Sequence, residues 1–137
     1  MNNKPIEQQL ALRYAQICDD REFESMRSII SKDFKQQGPE WHCDGADAFV
    51  QQLQVLEQKF SATLHIVANQ IGEWQGTIYN GETYCTASHI YEKNTVGYKL
   101  EMAIRYSETI EKIHGEYCYT RRDVNIVWVS DSPLVVA

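Results

Sequence analysis

Two histidines sit in the middle of stretches that read as β-strands, and they are the side chains best suited to proton chemistry in this chain. His89 lies in Thr-Tyr-Cys-Thr-Ala-Ser-His-Ile-Tyr, residues 83–91, and His65 lies in residues 63–71. Thr, β-branched and aromatic residues dominate both stretches, as strands require. Alternation sends Cys85, Ala87, His89 and Tyr91 to one face. Small residues beside one imidazole are the pattern of a strand lining a pocket. A free imidazole titrates near pH 6.5, so a modest shift lets it take and return a proton at neutral pH. The plainer reading is a satisfied polar group at a sheet edge.

The remaining elements must wall these two side chains in. Pro5 suits a first helical turn, with Asn3 as its cap. Ile6, Leu10, Tyr14 and Ile17 then form one apolar stripe. The polar run Asp19-Asp20-Arg21-Glu22 ends that helix, and Asp19 with Glu22 has capping-box spacing for a second helix over residues 21–30. Residues 34–37 read as a short strand. Gly38-Pro39 and Asp44-Gly45 bound a loop holding Trp41, His42 and Cys43. A third helix from Ala46 carries Phe49, Leu53, Leu56 and Phe60 on one face. After it the apolar period falls to two, with strands over 63–73, 77–92, 98–112 and 115–129 and a turn at His114-Gly115. Tyr79-Asn80-Gly81 is a further turn signal. The two last strands are long enough to need bulges. Asp131-Ser132-Pro133 closes the sheet and residues 134–137 fray. Helices first and strands afterwards predict one α+β domain over residues 1–137, a curved antiparallel or mixed sheet with helices on its concave face.

Composition narrows the partners. The 13 Lys and Arg against 19 Asp and Glu give a net charge of −6, with no basic block to neutralise phosphates. This argues against nucleic acid or an anionic membrane. No apolar run approaches the ~20 residues of a membrane span. Met-Asn-Asn-Lys-Pro-Ile-Glu-Gln-Gln lacks the apolar core of a signal peptide. Cys18, Cys43, Cys85 and Cys118 show no C-x-x-C spacing and read as reduced thiols in the cytoplasm. The histidines lack the spacing of a metal site, so no metal is expected.

Several short patterns, in order, resemble the SnoaL-like or nuclear-transport-factor-2-like superfamily, in the branch that contains scytalone dehydratase and bile-acid 7α-dehydratase. Arg13-Tyr14 followed by Asp19 resembles the R-Y-x-x-x-x-D that ends the first helix. Thr63-Leu64-His65 resembles the T-x-H of the first long strand, and Ala87-Ser88-His89 the histidine of the next. Arg105-Tyr106-Ser107-Glu108 resembles R-Y-x-D with Glu for Asp. Gly115-Glu116-Tyr117 to Arg121-Arg122 resembles G-x-W-x-I-x-x-R with Tyr for Trp. The resemblance implies a cone-shaped fold around an apolar cavity.

It also implies chemistry without a cofactor. Asp19 would orient and charge-stabilise His89, the general base or acid, with His65 beside it. Tyr14 would donate its phenol hydrogen to a substrate carbonyl. Trp41, Cys85, Tyr91 and Tyr106 complete the expected substrate wall, with Trp41 at the pocket mouth or simply anchoring its loop. The activity implied is that of a dehydratase, a lyase, or an isomerase on an apolar cyclic compound: polyketide, steroid-like or aromatic. Asp19 could instead cap the second helix, and a carboxylate has acceptor sites for both tasks. Five residues rotate Asp19 ~140° from Tyr14 on a continuous helix, so the pairing requires the helix to end near Cys18.

Two other functions stay open. A ligand-binding or accessory protein without chemistry fits the departures at Glu108 and Tyr117. An open cavity with a carboxylate–imidazole contact would favour the enzyme, and a filled cone the binder. A homo-oligomer, dimer or trimer, fits strand 115–129, where alternation leaves Val124, Ile126 and Trp128 on one face and Asn125, Val127 and Val129 on the other. Arg121-Arg122 reads as a surface or subunit-interface pair.

Overall fold

Each long apolar pattern becomes an element, and local pairing decides the rest. A computed structural model describes residues 3–135. Helix α1 (Ile6–Asp19) starts at Pro5 without a side-chain cap, so Asn3 does not serve as one. The second expected helix is only a 3₁₀ turn, Phe23–Ser28, burying Phe23 and Met26. Ile30 leaves it to open strand β1 (Ile30–Gln37). The reason is tertiary: Ile30 pairs in parallel with Tyr119, whose amide donates to the Ile29 carbonyl at 2.8 Å. Asp19 does not cap this turn, because its carboxylate is bound elsewhere.

Strand β2 (His42–Asp44) pairs antiparallel with β1, so part of the expected loop is sheet. Helix α2 (Ala46–Lys59) follows, and then β3 (Ala62–Gln75), β4 (Ile78–Lys93), β5 (Val96–Ile113) and β6 (Glu116–Pro133). The sheet order is β2-β1-β6-β5-β4-β3, mixed through the parallel β1–β6 pair. This is the expected α+β fold with a curved six-stranded sheet. Helix α1 lies against β3, and α2 against β1. The two helices thus stand over opposite ends of the sheet and leave a space above its middle strands. Val136 and Ala137, part of the expected frayed tail, lie outside the described residues.

His114 and Gly115 form the β5–β6 turn, both at positive φ, 51° and 83°, as the tight primed hairpin turns need. Tyr79-Asn80-Gly81 is not a turn but lies within β4. Gly81 is there for room: a Cβ on it would fall 2.4 Å from the Tyr79 hydroxyl, and one on its partner Gly72 would fall 2.2 Å from it. The β3–β4 turn falls instead at Gly76, with φ 62°.

Two bulges reset the faces of β6. Thr109 pairs with Arg121 but Ile110 with Tyr119, and Ala103 with Trp128 but Ile104 with Ile126. The first skips Thr120 and turns Arg122 and Val124 inward. The second skips Val127 and turns Trp128 outward, 68% exposed, away from Val124 and Ile126. The single face expected for Val124, Ile126 and Trp128 is therefore corrected, because each extra residue reverses a period of two. Trp128 instead joins Ile66, Thr86 and Ala103 in one cross-strand row on the outer face. Among the described residues no helix is long and apolar enough to cross a membrane, and all four cysteines are free thiols.

Candidate active site

Asp19 is the last residue of α1, on the row Ala11, Ala15, Asp19. The two alanines are buried, and such small side chains allow close approach between α1 and β3. The helix ends at Asp19, next to the expected stop near Cys18, and delivers the carboxylate to the sheet. The apolar face of α1 is wider than the Ile6-Leu10-Tyr14-Ile17 stripe, and Asp19 continues its second edge.

Thr63 and His65, two apart on β3, share a face and grip the carboxylate together. Thr63 Oγ1 donates to Asp19 Oδ1 at 3.0 Å, His65 Nδ1 donates to the same oxygen at 2.7 Å, and the His65 amide donates to Oδ2 at 2.8 Å. This is the physical content of the T-x-H spacing. Burial pushes the Asp19 carboxyl up, but the three donors and the His65 ring outweigh it and hold it below the usual carboxylate range. A carboxylate accepts only, so the His65 ring must carry its hydrogen on Nδ1. In the neutral ring Nε2 then has the lone pair.

Asp19 therefore pairs with His65, not with His89. The carboxylate at the helix end meets β3, the strand that α1 covers, whereas His89 stands on the next strand opposite Thr63. The two imidazole centroids are 6.1 Å apart, and Phe60 packs on His89 at 4.9 Å. His89 Nδ1 reaches the Leu100 carbonyl at 3.4 Å, the long limit of a hydrogen bond. Burial first, and then the charge of His65, push its pKa below the usual value.

A depressed histidine pKa means that the unfolded chain binds the proton more readily. Stability from a neutral His89 is present above about pH 6.5 and is lost as pH falls toward the lower folded value, by at most about 1.4 kcal/mol per pH unit. We expect urea midpoints of the His89→Gln variant to fall less steeply than wild type below pH 6.5. Parallel midpoint curves would show that His89 titrates normally.

The two imidazoles border a cavity of about 350 Å³ between the helices and the sheet. That is within the size range of small-molecule sites. Tyr14, Trp41, His65, His89 and Tyr106 all line it, as do Phe49, Leu53, Leu56 and Phe60 from the predicted stripe of α2. The stripe thus faces a hollow rather than filling one. Cys85 and Tyr91 do not line it, contrary to expectation. Cys85 is 4% exposed in the core, while Tyr91 donates to Asp131 Oδ2 at 2.6 Å and stacks on Tyr98. The strand is longer than the cavity, so one face of β4 runs past it. Cys18 is in the wall, but burial and then the nearby Asp19 charge push its thiol up to about 12, which leaves it protonated and a poor nucleophile.

Sequence reasoning missed Gln36, Arg21 and Lys59 in this wall. Arg21, at φ 58°, donates to the carbonyls of Glu57 and Phe60 and closes the end of α2 from 36 and 39 residues away. No local pattern announces such contacts. Beneath the wall, Arg122 and Glu108 form a fully buried ion pair at 3.0 Å, so Arg122 is no surface residue, whereas Arg121 is exposed and pairs with Asp123. Among the described residues no three of His, Cys, Asp and Glu are grouped to hold a metal ion.

A curved α+β sheet over a helix-roofed apolar cavity, with a carboxylate-bound imidazole in its wall, defines a class of small cone-shaped domains. The chain belongs to the SnoaL-like domain family, whose model matches residues 8–123. No curated protein matched. Among solved structures, it is similar to a protein provisionally named a scytalone dehydratase from Novosphingobium aromaticivorans, at 20% identity and TM-score 0.82, over 95% of this chain and 87% of that one. A hexachlorocyclohexane dehydrochlorinase of LinA type 3 from Novosphingobium barchaimii matches at 15% and 0.80, over 93% and 86%. A protein provisionally named an aromatic ring hydroxylase from N. aromaticivorans matches at 15% and 0.80, over 95% and 96%. At these identities the likeness shows the fold.

Proposed function

We propose that this chain is a cofactor-independent lyase or isomerase that removes a proton from a carbon acid in an apolar cyclic substrate. The observation that carries the reading is the Asp19–His65 contact at the wall of an open, mainly apolar cavity. Fold neighbours described as a dehydratase and a dehydrochlorinase support it. In this reading His65 Nε2 takes the proton from carbon, and Asp19 stabilises the imidazolium that forms. The electron pair moves toward the substrate carbonyl, where the Tyr14 phenol hydrogen meets the developing oxyanion. In a dehydration the imidazolium returns the proton to the leaving hydroxyl, so one C–H and one C–O bond break and water departs with a new C=C bond. In an isomerisation the proton returns to another carbon. His89, kept neutral by its surroundings, is placed to assist at the second transfer. Free thiols support a reducing compartment such as the cytoplasm.

The test needs no natural substrate. 2-Tetralone is an apolar bicyclic ketone with an acidic methylene, and its deuterium uptake in D₂O is read by proton NMR. Wild type should accelerate exchange, and His65→Ala should return it to the buffer rate. Equal rates for wild type and buffer would overturn the enzyme reading in favour of simple binding.

The same reading includes a homodimer or homotrimer. Leu64, Ile66 and Trp128 are 58%, 56% and 68% exposed on the outer face of the sheet, an apolar surface that association would cover. Light scattering at micromolar concentration should give a multiple of 15.9 kDa. Trp128→Glu should shift it toward the single-chain mass, and a monomeric wild type would refute the assembly.

A further inference from the structure

Trp41, Gln36 and Tyr14 in the cavity wall form a chain whose hydrogen-bond directions are fixed by chemistry. Gln36 is 4% exposed on β1, a buried amide that needs partners on both ends. The Trp41 indole Nε1 donates to its Oε1 at 3.3 Å. An indole N–H can only donate, so the amide oxygen must face it, and the amide nitrogen must face the other way. That nitrogen donates to the Tyr14 hydroxyl oxygen at 3.2 Å. Tyr14 therefore accepts from Gln36, and its own hydrogen is left to turn toward the cavity it lines.

The surroundings hold the phenol in that role. The Tyr14 ring is stacked near Phe49 at 6.2 Å and edge-on to Tyr106 at 5.8 Å, so the ring has little room to turn. Burial pushes the Tyr14 phenol well above its usual range, so the hydroxyl keeps its hydrogen, and the Arg122 guanidinium 4.3 Å from the ring centroid only partly opposes that rise. Trp41 can reach Gln36 because position 38 is glycine: a Cβ there would fall 2.2 Å from the indole ring. The Gly38 amide also donates to the Trp41 carbonyl at 2.9 Å, which pins the loop.

We propose that Trp41 and Gln36 are positioning residues that set Tyr14 as a one-way hydrogen-bond donor, so that this site selects cyclic ketones or enones with the carbonyl oxygen at the Tyr14 end. The proposal rests on the lyase or isomerase reading and adds the functional group that its substrate must carry. With Trp41 in place the amide cannot flip. Without the indole it can, and its oxygen would then accept the phenol hydrogen and draw it out of the cavity. A residue 41 that never touches the reacting carbon would thereby control the step.

The experiment uses 2-tetralone with wild type, Tyr14→Phe, Gln36→Met and Trp41→Phe, each checked for an unchanged melting temperature. The infrared carbonyl band of the bound ketone and the kcat and KM of deuterium exchange are measured. In wild type the band should lie at lower wavenumber than in Tyr14→Phe. Loss of the phenol hydroxyl should lower kcat about 10²–10³-fold. Gln36→Met and Trp41→Phe should each raise the band toward the Tyr14→Phe value and lower kcat roughly tenfold with KM little changed, the size of one neutral hydrogen bond. Packing roles alone would move melting temperature or KM and leave the band in place. If Tyr14→Phe loses the band shift while Gln36→Met and Trp41→Phe keep it, the relay is wrong and the lyase or isomerase reading stands. If exchange is absent in wild type while the band still shifts through all three variants as stated, the relay stands and that reading falls. A band identical in all four proteins refutes the donor itself.

Discussion

Replacing Glu108 by alanine should lower the unfolding free energy by about 3–5 kcal/mol, because it leaves the Arg122 guanidinium buried without its counter-charge. Arg122 is 1% exposed and Glu108 4%. Glu108 Oε1 accepts from Arg122 Nε at 3.0 Å, and Oε2 accepts from Thr83 Oγ1 at 2.8 Å. Thr83 in turn accepts from Gln70 at 3.0 Å, which ties β3, β4, β5 and β6 into one polar chain. Tyr14, Tyr106 and Tyr119 surround the guanidinium with centroids at 4.3, 3.7 and 4.8 Å. Aromatic faces attract a cation, yet they cannot replace an anion at this depth. Guanidinium unfolding read by tryptophan fluorescence measures the loss, which is a large share of the ~5–15 kcal/mol that holds a domain together. Glu108→Leu combined with Arg122→Met should recover most of it, since an apolar pair of similar volume carries no desolvation cost. Single variants within 1 kcal/mol of wild type would mean that water or another charge reaches the site.

The second large effect belongs to Asp19. Asp19→Asn should lower turnover about 10²–10⁴-fold, and His65→Ala by at least as much. The amide keeps the shape of the carboxylate, but it offers one acceptor where the wild-type group takes three donors, and it carries no charge to steady an imidazolium. Its NH₂ can also donate to His65 Nδ1, which would move the ring hydrogen to Nε2 and remove the lone pair that takes the proton. His89→Ala should cost less than either, because His89 is not the ring that the carboxylate holds. These rates can be followed as deuterium uptake by 2-tetralone or as turnover of a substrate once found. A His89→Ala loss exceeding that of His65→Ala would return the leading role to His89. Since the carboxyl is held below its usual range, the Asp19–His65 pair should also stabilise the chain above about pH 4 and lose that contribution as pH falls below it.

The sequence by itself determined the elements whose pattern is long and unbroken. The stripe on α1, the Phe49-Leu53-Leu56 face of α2 and four strands of period two need only local side-chain spacing, and the structure holds all of them, with Phe60 extended just past the helix end. Helices before strands were enough for an α+β fold, and the family resemblance implied the apolar space within it. The short patterns pointed to Tyr14, His65, His89 and Tyr106, and the loop to Trp41; all five line the cavity, while Asp19 meets it only through His65.

What only the tertiary structure decided lies wherever one residue alters parity or a distant element captures a side chain. Skipping Thr120 brought Arg122 opposite Glu108, and skipping Val127 sent Trp128 outward. A bulge adds a residue without any required sequence mark, so alternation counted along β6 fails beyond it. Pairing with β6 drew Ile30 from the expected helix into strand β1, with Ile29 as the turn before it. The choice of His65 over His89 depended on which strand α1 covers, a fact about packing between elements 46 residues apart. Gln36 gave no local signal, because a buried glutamine becomes informative only when the indole on one side and the phenol on the other are both in place.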